Sequence, residues 1–201
     1  MNIILLIIIF LFSMVIHEVS HGQVAYMMGD PTAKNAGRLT LNPIKHLDPF
    51  GSIMLPGLLI LLGGRFIFGW AKPVPINPFN FRDQKYGEAK VALAGPLANI
   101  SLALIFGLAL RFLPVLSSGM EIVFGYIVWI NLLLAIFNLI PVPPLDGSHI
   151  LFALLPRLNE VKIFLQRYGF FILIFIFLFL FQWIISLVDD CFSLIVGVPF
   201  F

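Results

Sequence analysis

Charge is what this sequence has least of. Asp, Glu, Lys and Arg together make up 11% of its 201 residues, where a soluble globular chain carries about 25%. So few charges cannot clothe a water-soluble core, and 60% hydrophobic residues with a mean hydropathy of +1.04 point the same way. The chain reads as an integral membrane protein, and its 22 Phe suit lipid-facing helices. Cysteine is almost missing: Cys191 stands alone, which excludes a disulfide within the chain. A net charge of +2 is too small for a nucleic-acid footprint. The N-terminal apolar run, IILLIIIFLF at 3–12, lacks a positively charged flank and a small-residue cleavage pattern. It is therefore expected to be a retained helix and not a leader.

A spanning helix needs about 20 mostly apolar residues. Four segments meet that requirement, at 2–28, 88–113, 121–140 and 168–188. Residues 160–167 read as a polar connector and 189–201 as a short tail. A fifth apolar segment, 50–70, is broken by Pro56-Gly57 and by Gly63-Gly64-Arg65, and either crosses once or dips in and returns. Lys and Arg gather on the cytoplasmic side of membranes, so they discriminate between the two. If 50–70 crosses, Lys34, Arg38, Lys45 and Arg111 face the other eight basic residues. If it re-enters, eleven share one side and only Arg111 is left outside. The second split is the cleaner one. The expected architecture is all-α and polytopic, with about four transmembrane helices plus a re-entrant or β-element region. Residues 1–156 form the expected core, with a membrane-associated loop at 29–87, and 157–201 a C-terminal helix and tail.

The chemistry lies in HEVSH at 17–21. His17 and His21 are four apart, so both imidazoles project from one helix face and can reach one Zn²⁺. Glu18 stands beside them as the candidate general base on a metal-bound water, whose pKa zinc lowers to about 7. Such a motif also arises by chance. In an apolar helix, however, three ionisable residues within five positions each cost a few kcal/mol to insert, which argues for function.

A catalytic zinc usually takes three protein ligands and keeps a fourth position open. His46, Asp48, Asp146 and His149 are candidates for the third. Asp146 stands out, because in FNLIPVPPLDGSHIL the prolines at 141, 143 and 144 break the helix beside it. Depth supplies a test. His17 and His21 lie roughly 20–27 Å along the first helix, and Asp146 follows the end of the 121–140 helix. They meet only if those helices run in the same direction, which requires that 50–70 does not cross.

The sequence resembles the site-2 protease family of intramembrane zinc metalloproteases. HEVSH, AGPLAN at 94–99 and NLIPVPPLDG at 138–147 carry the resemblance, in that order. LNPIKHLDPFG (41–51) and GWAKPVPINP (69–78) are similar to the compact bacterial branch without a PDZ domain. The resemblance implies a three-helix catalytic core with one zinc held by His17, His21 and Asp146, and Glu18 as catalytic base. It makes Asn99 and Asn138 candidates for orienting substrate or donating N–H to the developing oxyanion. Polar helix packing is the bland alternative for both.

Family members cut substrates that are themselves membrane helices, and an unwound segment must then be held. AGRLTLN (36–42) and AKPVPIN (71–77) look extended, and Lys72, Pro73, Val74 and Pro75 are candidates for clamping substrate by backbone pairing. His149, three residues after Asp146, is a candidate to touch a metal ligand from outside. His46 reads as a loop residue, Asp48 as a turn or cap, and Arg65 as a marker of the membrane surface. Without a soluble sensor domain, control falls to trimmed substrates or to a regulatory membrane partner. A zinc or proton transporter built on the same His, Glu and Asp cluster is the alternative activity. A silent scaffold is the third, against which the presence of Glu18 argues.

Overall fold

The computed structural model describes residues 3–54, 72–113, 116–157 and 159–200. Helix α1 (Ile3–Met27) is followed by a short α2 (Thr32–Asn35). Next come α3 (Gly87–Phe112) and α4 (Ser118–Asn138), then α5 (Asp146–Leu154). The C-terminal part holds α6 (Asn159–Phe175) and α7 (Phe181–Val196), joined through a π-helical stretch, Ile176–Leu180. Four helices are long and apolar enough to cross a membrane: α1, α3, α4 and the helix of 38 residues made by α6, the π stretch and α7. The protein is an all-α polytopic membrane protein.

Helix α3 is the centre of the bundle and packs against α1, α4, α5 and α7. Its buried face is made of small residues, among them Ala89, Ala92, Gly95, Ala103 and Gly107. Lipid is as apolar as leucine, so helices associate in a membrane through close backbone approach and not through exclusion of large side chains. The large side chains accordingly point outward: Ile3, Ile4, Ile7 and Phe10 on α1, and Phe170, Phe171, Leu178 and Phe179 on the last long helix. Helix α1 instead turns Ile9, Ser13, His17, His21 and Ala25 inward, a stripe at strict four-residue spacing. The histidines thus face the bundle because they lie on its packing stripe.

The C-terminal helix differs from expectation. Residues 160–167 are not a connector but the first turns of α6. EVKIFLQR contains good helix formers and no Gly or Pro, so the helix continues past the apolar stretch. At its other end it runs to Val196, where Gly197 adopts the left-handed conformation (φ 93°) that closes a helix. The Arg111 guanidinium donates to the Leu194 carbonyl at 3.0 Å, satisfying one of the last open acceptors.

The expected β-element also differs. Apart from an isolated bridge at Leu47, no strand pairing occurs among the described residues, and 36–42 is turn and bend. Residues 72–77 pair with no strand among the described residues. Pro73 and Pro75 have no N–H. The N–H groups of Lys72, Val74 and Asn77 donate to the His46 carbonyl, Glu18 and Asp30, at 2.9, 2.8 and 2.7 Å. Pro49–Met54 forms a π-helical turn. The choice between crossing and re-entry for 50–70, and the reading of Arg65, lie outside the described residues.

Candidate metal centre

The loop after α4 determines where Asp146 stands. The chain turns through the prolines and enters α5 with Asp146 as its first residue, where a carboxylate suits the positive end of the helix. A Cβ on Gly147 would collide with the carbonyls of Leu139 and Ile140, so only glycine lets α5 start directly against the end of α4. Asp146 then projects onto α1.

Three atoms converge there. His17 Nε2 lies 3.1 Å and His21 Nε2 3.3 Å from Asp146 Oδ2, and the two Nε2 atoms are 3.0 Å apart. The other ring nitrogens are committed. His21 Nδ1 donates to the Val91 carbonyl at 2.7 Å, and His17 Nδ1 pairs with Asn99 Oδ1 at 2.6 Å. With the protons on Nδ1, both Nε2 atoms present lone pairs to a carboxylate oxygen that is buried and has no hydrogen-bond donor. A cation resolves that arrangement. The separations are near the roughly 3.3 Å edge of a tetrahedron with metal–ligand distances of about 2.0–2.1 Å, and the donor set of two imidazoles and a carboxylate suits zinc. His17, His21 and Asp146 are the one group among the described residues that could hold a metal ion in this way.

The cradle has a back wall. A Cβ on Gly95 would stand 2.5 Å from His17 Cε1 and 2.5 Å from His21 Nε2. The AGPLAN segment of α3 therefore contributes a glycine that lets the imidazoles lie against its backbone. Pro96 within α3 is fully buried next to it.

A cleft of about 430 Å³ opens beside these ligands, lined by His17, Glu18, His21, Asp146, Asn138, Pro73, Val74, Glu88 and His149, among others. Glu18 Oε2 accepts from the Val74 N–H at 2.8 Å. Asn138 donates to the Leu134 carbonyl at 2.9 Å. Asn99 is outside the cleft and fully buried, with its amide directed at Asn131 and Ser13, so no N–H remains for an oxyanion. It backs His17 instead. His149 Nδ1 lies 3.6 Å from Glu88 Oε2 at the cleft, both residues exposed, and no contact joins it to His17, His21 or Asp146 among the described interactions. Lys72 and Pro75 do not line the cleft, and the Lys72 carbonyl accepts from Arg38 at 2.7 Å. His46 is fully buried and donates to the Thr40 carbonyl at 2.8 Å, as a loop residue.

Several contributors to the site leave little or no mark in the sequence. The Val91 carbonyl carries no sequence signal. Asn131, a polar residue deep in an apolar helix, did carry one, because such residues are costly in a span. Asp30 is completely buried and gathers the Asn77 N–H at 2.7 Å, the Asn80 amide at 2.8 Å and the Thr32 N–H at 3.1 Å. It fastens the 77–80 turn to the end of α1, and so holds Val74 over Glu18.

The family model described as Peptidase family M50 matches residues 113–180. YwhC of Bacillus subtilis, whose name places it among the zinc metalloproteases, is 42% identical over 176 residues, 83% of this chain and 77% of the relative. Rip2 of Mycolicibacterium smegmatis, similarly named, is 35% identical over 150 residues, 74% of this chain and 55% of the relative. The Methanocaldococcus jannaschii protein MJ0611 is 38% identical over 98 residues, about half of each chain (47% and 50%). No solved structure matches.

Proposed function

Because this chain belongs to peptidase family M50, the site-2 protease family of zinc metalloproteases, we propose that it hydrolyses peptide bonds within or next to the membrane-spanning segments of other membrane proteins. The observation that carries this reading is the convergence of His17, His21 and Asp146 inside a helix bundle, with Glu18 on the same cleft. His17, His21 and Asp146 would hold one zinc per chain. When bound, zinc supplies a Lewis acid that polarises the scissile carbonyl and brings a water pKa down to about 7.

The residues of the chain supply the rest. Val74 occupies Glu18 Oε2, which leaves Oε1 to take the proton of the attacking water and deliver it to the departing amine. Asn138 uses one N–H on Leu134, and its second is the candidate donor to the substrate oxyanion. The 72–77 segment has the N–H groups of Lys72, Val74 and Asn77 engaged, and Pro73 and Val74 line the cleft. It would therefore hold an unwound substrate by accepting that strand's N–H groups, with little donation in return. The ligand-bearing part of α1 and the start of α5 adjoin basic segments (Lys34, Arg38 and Lys45; Arg157, Lys162 and Arg167), so the site would face the cytoplasm, with the bilayer as the medium that delivers substrate. A regulatory membrane partner is the candidate for setting when cleavage occurs.

The test compares membrane proteomes of cells carrying the wild type and Glu18→Gln. Fragments that end inside predicted spanning helices should be present with the wild type and absent with the variant. Identical fragment sets would remove the proposal.

A further inference from the structure

His21 and His17 acquire the same tautomer by different means. For His21 the partner of Nδ1 is the Val91 carbonyl, an acceptor that cannot act otherwise. For His17 the partner is a side-chain amide, which presents either an oxygen or an NH₂ group depending on which way it is turned. Something must fix that amide.

The fixing groups lie on α4 and α1. Asn131 places Nδ2 2.8 Å from the Ile127 carbonyl and 2.9 Å from Ser13 Oγ. A backbone carbonyl only accepts, so the NH₂ of Asn131 must face Ile127 and its Oδ1 must face Asn99. Asn99 meets that oxygen with Nδ2 at 2.7 Å, and its other N–H points at the Ser13 carbonyl, at 3.4 Å. Two acceptor-only carbonyls therefore orient both amides. The last oxygen in the row, Asn99 Oδ1, faces His17 at 2.6 Å. Turning either amide over would set oxygen against oxygen. Asn99 and Asn131 are fully buried, and Ser13 and His17 nearly so, so water is not at hand to satisfy a misdirected group.

We infer that Asn131 is a positioning residue for the metal centre: through Asn99 it holds the proton on His17 Nδ1 and keeps Nε2 free for the metal. The direction of the chain runs from the Ile127 carbonyl to the ligand atom. Outer partners of this kind typically change metal affinity by about 10–100-fold when removed. The inference rests on the ligand set proposed above, and its test separates the two.

The full chain is purified in nanodiscs. Zinc affinity is read by competition with a fluorescent chelator, and ligand geometry by the visible spectrum of the Co²⁺-loaded protein. Asn131→Leu should bind zinc about 10–100-fold more weakly and show an altered Co²⁺ spectrum. Trp129→Phe removes a different inter-helix bond, from Trp129 Nε1 to Asp189 Oδ1 at 2.8 Å. It should lower thermal stability and leave zinc affinity unchanged. A folding-independent measurement accompanies these: ¹⁵N-histidine spectra of the metal-free wild type above neutral pH should show His17 protonated at Nδ1. Asn131→Leu with wild-type zinc affinity, or a wild-type His17 protonated at Nε2, would overturn the inference. If His17→Ala and Asp146→Ala both retain zinc at wild-type affinity, the ligand set is what fails.

Discussion

Val74 has the only backbone N–H between Pro73 and Pro75, and it donates to Glu18 at 2.8 Å. A hydrogen bond to a charged group contributes about 1.5–3 kcal/mol. Replacing Val74 with Pro removes that donor in an extended stretch where proline is already tolerated. The expected result is a kcat lower by about 10- to 100-fold with KM and zinc content unchanged, while Val74→Ala, which keeps the N–H, stays much closer to the wild type. Steady-state kinetics on one reconstituted substrate checks both. Asp30, just past the end of α1, acts one step further out. Burial pushes its carboxyl up, but donation from Asn77, Asn80 and Thr32 outweighs this and holds it below the ordinary value. A depressed carboxyl stabilises above its unfolded pKa of about 3.9 and loses that contribution as pH falls through the folded value. Hydrogen exchange at the Asn77 amide should therefore stay slow down to about pH 4 and accelerate below it. In Asp30→Asn it should be fast at neutral pH as well. At this scale the ionisable residues were legible in the sequence: HEVSH and Asp146 were found from spacing, helix breaks and depth. The Val91 carbonyl, the Val74 N–H and the amide chain behind His17 were not, since backbone groups have no letter and a buried Asn looks the same whichever neighbour it serves.

Among the elements, α3 contributes no metal ligand yet supports both histidines, through Val91, Gly95 and Asn99. Gly95→Ala makes a useful probe because its two effects have opposite signs. Alanine is the better helix former by about 1 kcal/mol, but its methyl would enter the space 2.5–2.6 Å from the histidine ring atoms. Zinc affinity should fall by at least about tenfold, the scale of a displaced ligand environment, while helical content by circular dichroism is retained. Unchanged affinity would mean that the imidazoles do not lie against α3. Helices α1, α3 and α4 were read from hydrophobic length to within a few residues. Helix α6 starts at Asn159, ahead of the apolar stretch, because polar residues alone do not end a helix and nothing in EVKIFLQR stops one. Extended character does not imply pairing here: Pro73 and Pro75 have no N–H, and those of Lys72, Val74 and Asn77 go to the His46 carbonyl and to the carboxylates of Glu18 and Asp30.

The whole molecule gathers His17, His21 and Asp146 inside a bundle of membrane-spanning helices. Helix α3 buries mainly small residues while many large side chains of α1 and of the last long helix are exposed, and the histidines share the inward stripe of α1. Charge distribution and the depth of Asp146 both required α1 and α4 to run the same way, and the joining of His17, His21 and Asp146 is consistent with that. Orientation is open to direct measurement in a Cys191→Ser background. Single cysteines at Lys162 and Gly119, at opposite ends of the bundle, should react with an impermeant maleimide from the cytoplasmic and the outer side respectively.

The most direct measurement is cleavage in a closed system. Wild type and Glu18→Gln are reconstituted in proteoliposomes with a single-span substrate, zinc is quantified, and products are sequenced by mass spectrometry. Both proteins should carry one zinc per chain. The wild type should cut within or beside the span, and the variant should be slower by about 10²–10⁴-fold. Equal cleavage by Glu18→Gln at full zinc occupancy would contradict the account.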